Sequence, residues 1–201
     1  MNGPDPDRVA VAIAGHSGDR DTARAGLSHP DPAVRATAIG ALERLGELRT
    51  ADLVALMDHR RESSEAVRRR AVEAAAVFPE LSLLDALEDP EWSVVEMACW
   101  SVGEHEAADD AVLGRLIDLS AGHDESLVRE AAVAALGAVG DRRGLPAILA
   151  ATHDRATVRR RAAIALAYLS VDSPELQPAI VAALEARLGS SDTDRNASVA
   201  L

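Results

Sequence analysis

The chain has 201 residues, 48% hydrophobic and only 2% aromatic, with 33 acidic against 21 basic residues and a net charge of −12. Duplex nucleic acid and anionic membranes call for clustered cations, so this balance argues against both and favours basic protein partners. The single cysteine, Cys99, leaves no internal disulfide and no cysteine-based zinc knuckle.

The apolar residues are mainly Ala, Leu and Val, a set that suits closely stacked helices, because alanine has the best helix propensity and lets backbones approach. Met1–Asp7 carries neither a basic nor an apolar leader, and no apolar run is long enough to span a bilayer. The expectation is a cytoplasmic protein without signal peptide or membrane span.

In chain order, the pattern begins with a helix over Asp7–Ala14, a turn at Gly15-His16-Ser17-Gly18-Asp19 and a second helix over Arg20–Leu27. A valine-anchored segment follows, Val34-Arg35-Ala36-Thr37-Ala38-Ile39-Gly40-Ala41-Leu42. It recurs without gaps from Val67, Val94, Val128 and Val158, roughly thirty residues apart. Four residues after each anchor stands an alanine (Ala38, Ala71, Ala98, Ala132, Ala162), and four further on Leu42, Ala75, Val102, Leu136 or Leu166. That spacing marks one helical face.

Polar or proline-bearing caps precede these helices, as at Pro30-Asp31-Pro32, Asp89-Pro90-Glu91 and Asp124-Glu125-Ser126, and glycine closes them at Gly46 and Gly140. A shorter apolar helix follows each: Ala51–Met57, Leu81–Leu87, Ala111–Leu119, Leu145–Ala151 and Gln177–Leu188. One solenoid domain results, with helix pairs over 5–28, 29–60, 61–88, 89–122, 123–153 and 154–189 and a partial unit over 190–201. No pair can bury its apolar stripe alone, so neighbours must stack.

Asp124-Glu125-Ser126-Leu127-Val128-Arg129-Glu130-Ala131-Ala132-Val133-Ala134-Ala135-Leu136-Gly137 resembles the HEAT repeat in its phycobilisome-lyase-like variety, and the likeness runs from about Asp5 to Leu201. The resemblance implies an all-α, right-handed α-alpha superhelix, with the Val-Arg helices convex and the shorter helices lining a concave groove. It also implies that Arg35, Arg68, Arg129 and Arg159 pair with acids at the repeat junctions, among them Asp31, Asp124 or Asp154. Helical spacing sends the further arginines of Arg68-Arg69-Arg70 and Arg159-Arg160-Arg161 outward as a solvated face.

His29, His123 and His153 each lie five residues before an anchor valine. Successive helices sit about 8–10 Å apart, too far for same-register histidines to share one zinc, whose nitrogens lie at about 2 Å. A place facing the negative end of a helix dipole suits them better. His105-Glu106 is a single pair in a turn. The iron-binding deoxyhypusine hydroxylases repeat His-Glu just after their Val-Arg, where this chain has Ala36-Thr37, Arg69-Arg70, Glu130-Ala131 and Arg160-Arg161. HEAT-like DNA glycosylases present basic, aromatic concave faces, unlike this acidic chain.

The fourth repeat stands apart: Trp92, Met97, Cys99, Trp100 and His105 crowd into it, and Val95 replaces the recurring arginine. Trp100 occupies a column held elsewhere by Gly40, Glu73, Ala134 and Ile164, as befits a partly exposed edge, and it is either an interface anchor or a bulky core plug. Trp92, at the helix start, is expected to pack. No catalytic triad, phosphate loop or paired catalytic carboxylates can be assembled. The expectation is therefore a monomeric scaffold without enzymatic activity, metal or cofactor. It would bind a protein or peptide on its concave face through Asp58, Asp85, Arg115 and Asp118, with Trp100 as the aromatic anchor. The alternative implied by the resemblance is a subunit of a phycobilin-lyase-like enzyme, a family whose members act as paired subunits.

Overall fold

A computed structural model of the chain describes residues 5–189, and the partial unit expected over 190–201 lies outside them. The described residues form twelve α-helices and no strand. First helices α1 (Pro6–Ser17), α3 (Pro32–Leu45), α5 (Glu65–Ala75), α7 (Trp92–His105), α9 (Ser126–Val139) and α11 (Ala156–Asp172) alternate with second helices. These are α2 (Arg20–Ala25), α4 (Thr50–Met57), α6 (Leu84–Leu87), α8 (Asp110–Gly122), α10 (Leu145–Ala151) and α12 (Gln177–Gly189). The architecture is an α-solenoid.

Cap chemistry sets the helix ends. Asp5, Asp31 and Asp109 accept backbone N–H groups at the starts of α1, α3 and α8, while Gly18, Gly46 and Gly140 close α1, α3 and α9 in left-handed conformations. The expected helix over Leu81–Leu87 shrinks to four residues, because Phe78, Pro79 and Glu80 turn the chain and only Leu83, Ala86 and Leu87 remain to bury there. His105 closes α7 instead of lying in a turn, and its Nε2 donates to the Ala75 carbonyl at the end of α5 (2.9 Å).

First helices pack against one another more extensively than second helices do. In a curved stack the more closely packed layer is the inner one, so the Val-Arg helices line the inside, opposite to the expected arrangement. Small residues permit it. A Cβ built on Gly137 would stand 2.6 Å from the Ala165 Cβ and 2.9 Å from its Cα, and one on Gly15 would stand 2.8 Å from the Ala41 Cα. The core runs between the layers, through residues such as Ile39, Leu42, Leu53, Leu87, Leu116, Leu136 and Ile148.

Forked ion pairs bind the junctions. Arg35 grips Glu62 through two bonds of 2.7 Å, Arg68 grips Asp89 at 2.7 and 2.9 Å, and Arg129 grips Asp154 at 2.6 and 2.8 Å. Of the expected acids only Asp154 serves. Asp31 is occupied as a helix cap, and Asp124 offers Arg129 only its carbonyl, because each arginine reaches forward to the next junction. Each gripped acid also accepts a backbone N–H at its own junction, from Ser64, Glu91 or Arg155, so one carboxylate ties two repeats and the coming turn. Arg159 donates to the Asp154 carbonyl.

Of the further arginines Arg160 is exposed, as expected, while Arg69 reaches Glu96 (3.9 Å), Arg70 pairs with Glu43 and Glu73, and Arg161 with Glu130 (3.6 Å), all but one of these pairs bridging adjacent repeats. The Nδ1 of His29 accepts the Asp31 N–H (3.1 Å) and that of His123 the Glu125 N–H (3.0 Å), and the Nε2 of His29 lies 3.2 Å from the Asp7 carboxylate.

Burial raises the Glu62 carboxyl, but hydrogen bonds from Arg35 and Ser64 and the charges of Arg35 and Arg68 outweigh it and hold the group below its ordinary value. Asp154 is lowered by the Arg129 hydrogen bond, against the opposing effect of burial. Both are depressed in the fold, so their stabilisation is complete above the unfolded values and fades as pH falls through the folded ones. Urea unfolding is thus expected to show stability dropping below about pH 4.5, the ordinary Glu value. In a Glu62→Gln variant the drop should be smaller, from a lower starting stability.

Candidate functional site

The described part of the inner layer carries an open recess of about 740 Å³ along α7, α9 and α11. Its shape follows from three parallel stripes at four-residue spacing. α9 presents Glu130, Ala134 and Ala138, α7 presents Glu96, Trp100 and Glu104, and α11 presents Ile164 and Tyr168. Alanines on the middle helix leave a floor, and large side chains on both flanks raise walls. Trp100 is 44% exposed and Tyr168 62%, so both rings offer apolar surface to solvent. Leu127, 51% exposed, adds apolar surface near the start of α9.

The charge on this surface is lopsided. Four of the lining residues are acidic, Glu96, Glu104, Glu106 and Glu130, against one lining arginine, Arg161, which is already paired with Glu130. Arg69, outside the recess, reaches Glu96 at 3.9 Å. Among the described residues no cation pairs with Glu104 or Glu106. Glu106 also ends α7 in a left-handed conformation (φ 51°), the only non-glycine residue among those described to do so, at a place where α3 and α9 end in glycine. A side chain there costs about 1 kcal/mol relative to glycine, yet it sets a carboxylate on the lip. Glu106→Gly is accordingly expected to raise stability by about 1 kcal/mol in thermal unfolding; a loss of stability would show that the carboxylate is tied down structurally.

The five residues expected to bind a partner do not form one site. Trp100 lines the recess, whereas Asp58, Asp85, Arg115 and Asp118 belong to the second layer, on or just after α4, α6 and α8. Asp58 accepts the Arg60 N–H and pairs with Arg61 at 3.4 Å, and Arg115 is half-buried and donates to the Leu87 carbonyl at 3.3 Å. Asp85 and Asp118 are exposed. Trp92, expected to pack, is 42% exposed on the first turn of α7. Cys99 lies beneath the recess wall with no exposed surface, and burial together with the charge of Glu96 pushes its thiol pKa up to about 12, so it is no nucleophile.

Sequence reasoning missed Tyr168 and the recess carboxylates. The signal was nevertheless present: the column that holds Trp100 continues through Ala134 and Ile164, and one turn further on stand Glu104, Ala138 and Tyr168. Among the described residues no group of His, Cys, Asp and Glu is placed to hold a metal, and no helix is long and apolar enough to cross a membrane.

Fold and recess together define a helical-repeat protein of the α-solenoid class. The chain belongs to the HEAT-repeat family, whose model matches residues 4–76 and 80–167. A search of curated proteins finds no sequence match. Among solved structures, the chain is similar to one from the complex of CpcE and CpcF of phycocyanin lyase from Nostoc sp. PCC7120. That match has 23% identity and a TM-score of 0.61, and it covers all of this chain and 76% of the other. At this identity the likeness shows the fold alone.

Proposed function

We propose that this HEAT-repeat solenoid is a protein-binding scaffold that captures a partner segment in the recess along α7, α9 and α11. The observation that carries this is the half-exposed Trp100, set in a wall above an alanine floor and faced by Tyr168. Tryptophan and tyrosine are preferred anchors of interfaces, and leaving two such rings exposed in a chain with four aromatic residues has no packing rationale. The exposed Asp85 and Asp118 of the second layer form the competing surface.

Affinity capture from the source organism, followed by mass spectrometry, tests the choice with three baits. Wild type and the second-layer reversal Asp85→Lys/Asp118→Lys should retain the same partner. Ala134→Trp, which fills the floor, should lose it while keeping the wild-type helical circular dichroism. Retention by Ala134→Trp with loss by the reversal would move the site to the second layer. Identical capture by all three would remove both surfaces.

A second reading has one observation behind it, namely that the structural neighbour belongs to a complex of two lyase chains. On that reading this chain is one half of a pair that attaches a bilin to a protein. Co-expression with a phycocyanin-type apoprotein and bilin would then yield covalent pigment only when a second subunit is added; colourless product with and without it would dismiss the reading.

A further inference from the structure

The two walls of the recess differ in chemistry. On the α7 side Glu96 and Glu104 stand one turn before and one turn after Trp100, and Glu106 lies at the lip. Arg69 approaches Glu96 only to 3.9 Å, and among the described residues Glu104 and Glu106 have no cationic partner. On the α11 side Ile164 and Tyr168 present mainly apolar surface, Arg161 is engaged with Glu130, and the exposed Arg160 stands one turn before Ile164 at the end of that stripe. Negative charge without compensation thus borders an exposed indole on one flank, and apolar surface borders the floor on the other.

A helix packs on another at about 8–10 Å between axes, nearest where the contacting residues are small. The floor of Ala131, Ala134 and Ala138 lets such a helix settle between the walls as a neighbour to α9.

We infer that the recess binds an amphipathic helix whose apolar stripe lies on the α9 alanines and the α11 wall and whose arginines, on one flank of that stripe, lie over Glu96, Trp100 and Glu104. Arginine suits this wall better than lysine. Its planar guanidinium stacks on an indole while its fork reaches carboxylates on either side. Opposite charge across the seat fixes the direction in which the helix lies and excludes acidic competitors. This inference rests on the recess being the partner surface.

Fluorescence anisotropy with three labelled synthetic helices of one leucine stripe, flanked by arginine, by glutamine or by glutamate, tests it. The arginine helix should bind roughly tenfold more tightly than the glutamine helix, the sum of one cation–π contact and a few exposed ion pairs. The glutamate helix should bind more weakly than either. In Glu96→Gln/Glu104→Gln the arginine preference should shrink to the few-fold owed to the cation–π contact with Trp100, both helices still bound, and salt should reproduce that narrowing in the wild type. Ala134→Trp should abolish binding of both.

Equal binding of the arginine and glutamine helices to wild type, both lost in Ala134→Trp, would overturn the basic-helix inference and leave the recess standing. Arginine-selective binding that survives both variants would place the contact elsewhere and overturn inference and recess together. Absence of binding by any of the three helices overturns the inference, while partner capture by the wild type that is lost in Ala134→Trp would still uphold the recess.

Discussion

Arg68→Met is expected to lower the folding free energy by about 3–5 kcal/mol, the usual result of breaking one half of a buried ion pair. Arg68 is 3% exposed and Asp89 7%, and the guanidinium also donates to the Glu62 carbonyl at 3.0 Å. Removing it leaves the Asp89 carboxylate away from water with only the Glu91 N–H for company, and it leaves Arg35 and Glu62 without their neighbour in the chain of contacts. Methionine retains much of the volume, so the lost term is chiefly electrostatic. Urea unfolding monitored by circular dichroism, with the m-value checked against wild type, reads the change. Arg161→Met is the control: its pair with Glu130 at 3.6 Å is partly exposed, and its removal should shift stability by no more than about 1 kcal/mol. If the two variants lose the same amount, burial of the junction pair contributes nothing. The double variant Arg68→Met/Asp89→Leu should recover part of the loss, because no buried charge remains.

The second large effect is expected at a single hydrogen atom. Gly137→Ala should destabilise by about 1–3 kcal/mol, the range for overpacking a filled core, although alanine is intrinsically the better helix former by about 1 kcal/mol. The new Cβ would meet the backbone of Ala165, which cannot rotate away, so α9 and α11 must separate. Gly103 has the same register one repeat earlier, but there a Cβ would meet the Ala135 Cα at 3.6 Å, an ordinary contact. Gly103→Ala is therefore expected to be neutral or stabilising. Opposite signs for two Gly→Ala changes at equivalent positions, read as melting temperatures, would establish that helix separation and not helix propensity governs this layer. Equal signs would refute that. The separation also matters for the recess, since Tyr168 rides on α11.

Much of this fold is legible because a helix pair repeats. The valine anchors, the alanines four residues on and the capping residues each mark the same helix five times over, and all five form where expected. Two features were harder to read. The inward layer depends on the curvature of the stack, which arises from contacts between repeats, such as Gly137 against Ala165, that no single repeat displays. The junction acids also depend on reach: Arg35 and Arg68 extend to the start of the following repeat, so Glu62 and Asp89, not the acids of their own turns, receive them. At the site, the anomaly of the fourth repeat pointed to Trp100, and the structure sets that residue on a recess wall. Its surroundings stayed hidden because they come from three helices and assemble only once the inner face is known.

Val95 stands where the other junctions have their gripping arginine, and His123 stands where the earlier ones have Glu62 and Asp89. Among the described residues no guanidinium–carboxylate pair joins α7 to α9, yet these two helices share the most extensive contact of any pair in the stack. This boundary is held by apolar burial, to which protons and salt are indifferent, while its flanks are held by ionised groups that are not. Mild acid should consequently peel the solenoid from both sides toward its centre, and the last amides to surrender their protection in hydrogen exchange should be those of α7 and α9.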